Sequence, residues 1–173
     1  MHTVVEMNPA DHISVGFVGA VGKRTFFIQA RKDYDVITLL CEKFQVQQLA
    51  SGIREFTTEL ERKNPDLPPP ALDYTEADME LQEPLEPLFR IGQMGVGYDE
   101  ENDLMLLVAH ELTSEEEDAA KAGTARIWST RAQMLAMGAH CDEVASRGRA
   151  ICGNCLQPMN PEGHFCPKRN GHK

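Results

Sequence analysis

The chain has 173 residues, of which 42% are hydrophobic and 25% charged, a composition typical of soluble globular proteins and not of disordered chains. Its longest apolar runs, such as residues 104–109, are too short to span a bilayer, and the first residues lack the basic and apolar regions of a signal peptide. Five cysteines, an odd number, favour reduced thiols and metal ligands over a disulfide framework, so we expect a cytoplasmic protein.

The formal charge of -10 is concentrated in the middle of the chain. Residues 64–123 carry sixteen acidic side chains and two basic ones, whereas residues 124–173 carry seven basic and three acidic ones. An acidic surface repels the phosphate backbone of nucleic acids. The charge distribution therefore disfavours nucleic-acid binding by the surface as a whole. Local binding would have to use the basic C-terminal segment.

The first third of the chain predicts three strands followed by a helix. The strands are expected at residues 12–18, 24–30 and 36–40, the first two joined by a glycine-rich turn. From residue 44 to 63 the apolar residues recur every three or four positions, which predicts an amphipathic helix. Pro65 ends this helix, because proline disfavours helical geometry in the residue before it.

The segment 64–87 holds six of the ten prolines and predicts a linker or a loop draped over the surface, with Leu81, Leu85 and Leu88 as its anchors. A second hairpin is predicted at residues 88–98 and 103–110, followed by an acidic loop and a short strand at 125–128.

A second helix is predicted to begin at Thr130, where Gln133 completes a capping box, and to end at Gly148. The order of strands then a helix thus occurs twice, with residues 44–46 and 132–134 at equivalent places, as expected for a degenerate duplication. The sequence therefore predicts an α+β fold: a mainly antiparallel sheet built from two hairpin-then-helix halves, with both helices on one face. We expect an α+β domain at residues 1–149 and a small zinc knuckle at 150–173.

Four potential metal ligands are close together near the end of the sequence. Cys152 and Cys155 form a C-x2-C pair, a spacing that allows one tight turn to direct two thiolates at one ion. His164 and Cys166 lie beyond a loop rich in proline and glycine, which can fold back to supply two further ligands. Three sulfurs and one nitrogen predict a tetrahedral zinc site. Because the protein fills all four positions, we expect the zinc to be structural.

Two alternatives remain open for this motif. His172 could replace His164 as the fourth ligand, although it lies closer to the end of the sequence. The C-x2-C pair could also be a redox pair, but such a pair normally begins a helix that follows a strand. Here it follows a predicted helix and precedes a loop, so the metal site is the favoured interpretation.

Three stretches carry a resemblance to a known family: GKRTFFIQA at 22–30, FRIG at 89–92, and the C-terminal Cys/His string that includes CPKRNG at 166–171. Over nearly its whole length the chain closely resembles a bacterial family catalogued as domain of unknown function 3090. The resemblance implies a cytoplasmic protein whose relatives end in a similar Cys/His cluster. It also implies genes that accompany those of a phosphatidylinositol-kinase-like and a histidine-phosphatase-like protein. Members usually carry Gly after the second cysteine, where Leu156 stands here.

The sequence contains no convincing catalytic motif. Residues 16–24 approximate a phosphate-binding loop, but the first required glycine and the Ser or Thr after the lysine are missing. The remaining acid–base or nucleophilic candidates are isolated in the sequence: Asp11 with His12, His110 with Glu111, Cys41 and Cys141. Both of these cysteines lie on apolar faces, where a packed and unreactive thiol is expected. We therefore assign no catalytic and no cofactor-binding residue.

The sequence favours a zinc-stabilised, non-enzymatic adaptor that binds another protein of unknown identity, in an unknown oligomeric state. One alternative, which depends on the resemblance, is an enzyme or regulator in phosphoryl metabolism of the inositol type. The other is a weak nucleic-acid binder that uses basic residues around the knuckle: Arg147, Arg149, Lys168, Arg169 and Lys173. A pocket with convergent polar groups would favour an enzyme, and an exposed apolar patch would favour the adaptor.

Overall fold

The structure is a computed structural model that describes residues 3–147, 152–157, 159 and 164–168. Its first half consists of β1 (Val4–Met7), β2 (His12–Val18), β3 (Thr25–Lys32), β4 (Asp35–Cys41) and α1 (Lys43–Lys63). A 3-10 turn (Glu76–Met79) lies between the halves. The second half consists of β5 (Ile91–Asp99), β6 (Leu104–Glu111), the short α2 (Glu116–Ala119), β7 (Thr124–Ser129) and α3 (Arg131–Ser146). Among these residues, no helix is both long and apolar enough to cross a membrane.

The predicted α+β fold with mainly antiparallel strands is confirmed. β2, β3 and β4 form one antiparallel sheet in that order, and β5, β6 and β7 form a second one. The strands therefore lie in two sheets where the sequence predicted one, and an isolated bridge between Leu40 and Arg90 joins β4 to the start of the second half. β1 was not predicted from the sequence; it pairs in parallel with β7 at the far edge of the second sheet.

The two halves repeat one arrangement at the start of their long helices. The backbone N–H of Glu42 donates to Gln45 Oε1, and that of Thr130 donates to Gln133 Oε1, both at 2.8 Å. The capping box predicted at Thr130 is therefore present, and α1 has an equivalent one. Each glutamine also reaches the other half of the molecule. Gln45 Nε2 donates to the Ile91 carbonyl and Gln133 Nε2 to the Asp11 carbonyl, both at 3.0 Å, which is consistent with the predicted duplication.

One hydrophobic core joins the two sheets and the two long helices. Its largest buried side chains come from every layer: Ile13, Ile28, Leu39, Ile53, Met105, Leu107, Ile127, Met134 and Met137. The two helices pack closely at Gly138, where an added Cβ would lie 3.2 Å from Ile53 Cγ2. Each buried side chain of this size contributes roughly 1.5–3 kcal/mol of hydrophobic stabilisation, so the core accounts for most of the stability of residues 3–147.

The proline-rich segment crosses the surface, and side chains of both halves hold it in place. The Gln29 amide pairs with the backbone of Gln82: Gln82 N–H donates to Oε1 at 2.7 Å, and Nε2 donates to the Gln82 carbonyl at 2.9 Å. Met79 and Phe89 are buried, whereas Leu81 and Leu85, two of the three leucines expected as anchors, are half-buried, with Leu81 packed against Gly16 of β2. The Leu88 side chain is 44% exposed, and only its backbone contributes to the attachment: the Leu88 N–H donates to the Thr38 carbonyl at the edge of β4.

Candidate metal centre

The structure brings together the four side chains that the sequence selected. One ligand atom from each of Cys152, Cys155, His164 and Cys166 lies within 4.8 Å of all the others, a group that could hold a metal ion. The Sγ atoms of Cys152 and Cys166 are 3.7 Å apart, and Cys155 Sγ lies 3.2 Å from His164 Nε2. Two thiolates bound to one tetrahedral zinc at 2.3 Å each are separated by about 3.8 Å. The donor set and its spacing therefore fit a tetrahedral ion.

The backbone of the C-x2-C turn prepares one thiolate for metal binding. The Leu156 N–H donates to the Cys152 carbonyl, and the Cys152 N–H donates to the Gln157 carbonyl, both at 2.9 Å. Hydrogen bonds from the Cys155 and Asn154 backbone N–H groups lower the pKa of Cys152 to about 6. Since a metal binds the thiolate and not the thiol, this turn presents Cys152 in its binding form at neutral pH.

The two cysteines of the turn differ in the direction of their pKa shifts, and the four potential ligands differ in their exposure. Removal from water raises the pKa of Cys155, the largest of several effects on this thiol. Cys152 and Cys166 are buried, whereas Cys155 and His164 are partly exposed. Two apolar side chains from the same segment point into solvent, with Leu156 70% and Phe165 73% exposed. The cluster thus has a buried sulfur pair, and two large apolar side chains of the same segment are exposed.

Leu156, the residue after the second cysteine, has a left-handed backbone conformation with φ of 59°. This conformation is costly for a branched side chain and easy for glycine, which has no Cβ. The turn therefore requires a backbone conformation at position 156 that glycine adopts without strain and leucine does not.

Residues 5–166 match the model of a family described as Protein of unknown function (DUF3090). The chain belongs to this family. The matched region of the DUF3090 chain includes both sheets, both long helices and all four residues of the Cys/His cluster, so the resemblance seen in the sequence is confirmed. No curated protein and no solved structure matches the chain.

The strain at Leu156 leads to a first prediction for the DUF3090 protein. We expect Leu156→Gly to relieve about 1 kcal/mol of backbone strain and to slow metal loss to a chelator roughly fivefold. Leu156→Val should act in the opposite direction, because a β-branched residue tolerates positive φ least. Metal release can be followed with a chromophoric chelator. Equal release rates for the three proteins would show that this backbone angle does not affect the site.

The other candidate residues of the DUF3090 chain have structural partners. His110 Nδ1 lies 3.1 Å from Thr124 Oγ1 on the neighbouring strand, and Glu111 Oε2 accepts the Gly123 N–H at 2.8 Å. Cys41 and Cys141 lie in the hydrophobic core. Burial raises the pKa of Cys41 to about 12 and that of Cys141 even further. Both thiols are therefore protonated and shielded at neutral pH, as the sequence predicted for inert cysteines.

His12 lies in a cavity of about 700 Å³ between β2, α3 and the proline-rich segment. Its Nε2 is hydrogen-bonded to the Asp78 carbonyl, and burial lowers its pKa. Charged side chains of both signs also line the cavity, among them Arg31 and Asp73. The sequence paired His12 only with Asp11, because nothing in the local pattern indicates that residues 73–82 fold over β2.

His140, which was not among the candidates selected from the sequence, is almost fully buried in α3. Its Nδ1 lies 2.7 Å from the Tyr74 hydroxyl, and burial lowers its pKa. This pair attaches the proline-rich segment to α3. A histidine within the apolar stripe of the predicted helix was the signal that could have identified it, since a buried polar group needs a partner.

Proposed function

We propose that the DUF3090 protein is a zinc-stabilised cytoplasmic adaptor. In this proposal Cys152, Cys155, His164 and Cys166 bind one structural zinc ion, and the surface around it binds a partner protein. The observation that carries the proposal is the convergence of the four ligand atoms within 4.8 Å. Three thiolates and one imidazole are soft ligands that favour zinc over magnesium or calcium. Four protein ligands complete a tetrahedral shell and leave no position for a substrate, so the zinc would support structure.

Leu156 and Phe165 support the protein-binding part of the proposal. Both lie within the ligand cluster in the sequence, Leu156 directly after Cys155 and Phe165 directly before Cys166, and both are more than two-thirds exposed. A partner protein that covered both side chains would remove this apolar surface from water, which is favourable. Aromatic side chains that become buried at an interface often dominate its binding energy. A zinc ion would hold the two side chains at a fixed separation.

The nucleic-acid alternative receives less support from the structure. Arg147, one of the basic residues expected around the knuckle, pairs with Glu76 at 2.5 Å and with Glu143 at 3.7 Å. An arginine that two carboxylates already neutralise contributes little to phosphate binding. Arg149, Arg169 and Lys173 lie outside the described residues.

The cavity around His12 gives specific support to a second candidate, an enzyme of phosphoryl metabolism. Histidine and arginine side chains in one cleft are suited to bind a phosphate and to transfer a proton. Two features oppose this function. Asp11, Asp73 and Asp78 also line the cavity and would repel an anionic substrate, and a backbone carbonyl already occupies His12 Nε2.

One set of variants tests the adaptor against the enzyme. The tagged chain is captured from its native cells at endogenous expression, and the associated proteins are quantified by mass spectrometry. We expect Leu156→Asn combined with Phe165→Ser to reduce the captured partner at least about tenfold while zinc content stays the same. Leu72→Ser is the matched control, because Leu72 is 61% exposed on the proline-rich segment. Its capture should equal that of the wild type.

His12→Ala separates the two candidate functions in the same cells. The adaptor proposal expects this variant to fold, to capture the partner and to complement a deletion. A variant that melts normally and captures its partner but fails to complement would support the enzyme. Undiminished capture by the Leu156 and Phe165 double variant would show that the knuckle is not the binding surface.

A further inference from the structure

Three of the four sheet edges in the described part of the chain are covered or short. The edge of β4 pairs with the segment before β5, through Leu40 N–H to the Phe89 carbonyl at 3.0 Å and Leu88 N–H to the Thr38 carbonyl at 2.8 Å. Helix α3 lies beside the edge of β2, where Gln133 bonds the Asp11 carbonyl. β1 has only four residues and includes a charged glutamate. Each of these edges resists pairing with another chain.

The fourth edge, β5, is covered at its start, where helix α1 lies beside it and Gln45 Nε2 donates to the Ile91 carbonyl at 3.0 Å, but the backbone beyond Gly92 is open. It is nine residues long and lies at the end of the sheet order β1-β7-β6-β5. Its residues 91–98 include no charged residue and no proline, and the irregularity in its pairing with β6 is confined to its first residues. Antiparallel pairing with β6 directs the backbone groups of alternate residues outward. Among the described residues, no backbone group from 93 to 99 pairs with any segment except β6.

An apolar groove runs beside this edge. Helix α1 and β5 enclose a cavity of about 500 Å³ that no ionisable side chain lines. Its apolar walls are formed by Phe44, Leu49, Phe56, Met94 and Val96. Phe44 is 56% exposed at the mouth of the groove. The groove and the strand therefore form one continuous, uncharged surface, which we call the β5 edge surface.

We propose that the β5 edge surface binds a second copy of this chain. The two β5 strands pair antiparallel across a two-fold axis near Gly95, which joins the two four-stranded sheets into one of eight strands. In this register Met94 faces Val96 of the second copy, and Gln93 faces its Gly97. No like charges meet along the paired strands. Residues 91–98 carry no charge, so pairing two copies here brings together none of the acidic groups that give the chain its charge of -10.

A copy of the chain fits this surface better than a foreign strand does, for two reasons. An unprotected edge promotes aggregation unless another strand covers it. A second copy of the chain is always available to cover it, because it is present wherever the chain is made. The surface is also self-complementary, as a two-fold interface requires. Strand pairing alone buries less than the roughly 1,200–2,000 Å² of a stable interface, so Phe44 and the groove wall of α1 must be covered as well.

Sedimentation velocity of the full metal-loaded chain, over a wide range of protein concentrations, tests this inference. We expect a reversible dimer with twice the mass of the chain. Gly95→Lys should raise the dissociation constant of the dimer on the order of 100-fold, because two like charges meet near the axis. The monomer accommodates this change, since an added Cβ lies 3.4 Å from Val108 Cγ1, an ordinary contact. Val4→Lys is the matched control: it adds the same charge at the opposite edge of the sheet, where Val4 is 55% exposed, and should leave the dimer intact.

Hydrogen exchange locates the interface independently of mutation. We expect the backbone amides of residues 93–99 to become more protected as the wild-type concentration rises, and those of the Gly95→Lys variant to remain unprotected. A wild type that stays monomeric at high concentration overturns the inference, as does a Gly95→Lys variant that melts normally and still dimerises. Protection that appears on another surface, or only when another protein is added, also overturns it. None of these readouts depends on the adaptor proposal.

Discussion

Replacing Cys152 by Ser should abolish metal binding and disorder the chain from about residue 150 onward, with little effect on the unfolding of residues 3–147. Cys152 is buried, and its Sγ lies 3.7 Å from that of Cys166, so its loss removes half of the buried sulfur pair. Structural zinc sites contribute on the order of 10 kcal/mol of apparent binding energy to the fold of the segment they close. Among the described residues, the hydrogen bonds of 152–168 stay within that segment, which explains why the effect should be local.

Elemental analysis and a thermal melt measure the two parts of this expectation. The wild type, purified without added metal, should contain about one zinc per chain, and Cys152→Ser about none. Cys141→Ala is the matched control, because it also removes a thiol, but from the core: it should lower the melting temperature and retain zinc. His164→Ala should lose the metal and His172→Ala should keep it. A wild type without zinc, or with another metal, would contradict the assignment.

The elements with local signals could be predicted from the sequence. α1 spans Lys43–Lys63 where the apolar period predicted 44–63, and Thr130 is the N-cap of α3, as predicted, because its capping box is formed entirely by residues 130–133. Both hairpins were predicted because their strands are close in the sequence and joined by recognisable turns. The four clustered residues were predicted for the same reason: the C-x2-C pair and the nearby His and Cys lie within fifteen consecutive positions, so a short loop can bring them together.

Features that depend on distant residues could not be predicted in this way. β1 pairs with β7 across about 120 residues, and no pattern within four residues specifies a parallel partner so far away. The proline-rich segment is anchored by Met79 because a 3-10 turn directs this side chain inward, whereas hydropathy alone favoured the leucines. The Tyr74 and His140 pair joins residues 66 positions apart. Each of these contacts is determined by tertiary packing and not by local propensity.

Ile53→Ala should have the opposite effect to Cys152→Ser: it should destabilise residues 3–147 and leave metal binding unchanged. Ile53 is 1% exposed and packs against Gly138 where α1 meets α3, so shortening it leaves a cavity that the two helices cannot close. Substitutions of this kind lower the free energy of unfolding by about 2–5 kcal/mol. We expect a loss of about 3 kcal/mol for residues 3–147, measured by urea denaturation, and unchanged zinc content below the unfolding transition. Ile53→Val, the matched control, should lower it by only about 1 kcal/mol.

The double variant Ile53→Ala with Cys152→Ser then tests the predicted division into a domain at 1–149 and a knuckle at 150–173. If the two units are energetically independent, their effects on the free energy of unfolding add to within about 0.5 kcal/mol. A larger coupling would mean that the knuckle packs onto the main core and that the chain unfolds as one unit. Zinc content gives the second readout of this cycle. Loss of the metal from folded Ile53→Ala would show that the core positions the ligands, whereas retention means that the C-terminal segment forms its metal site through its own turn.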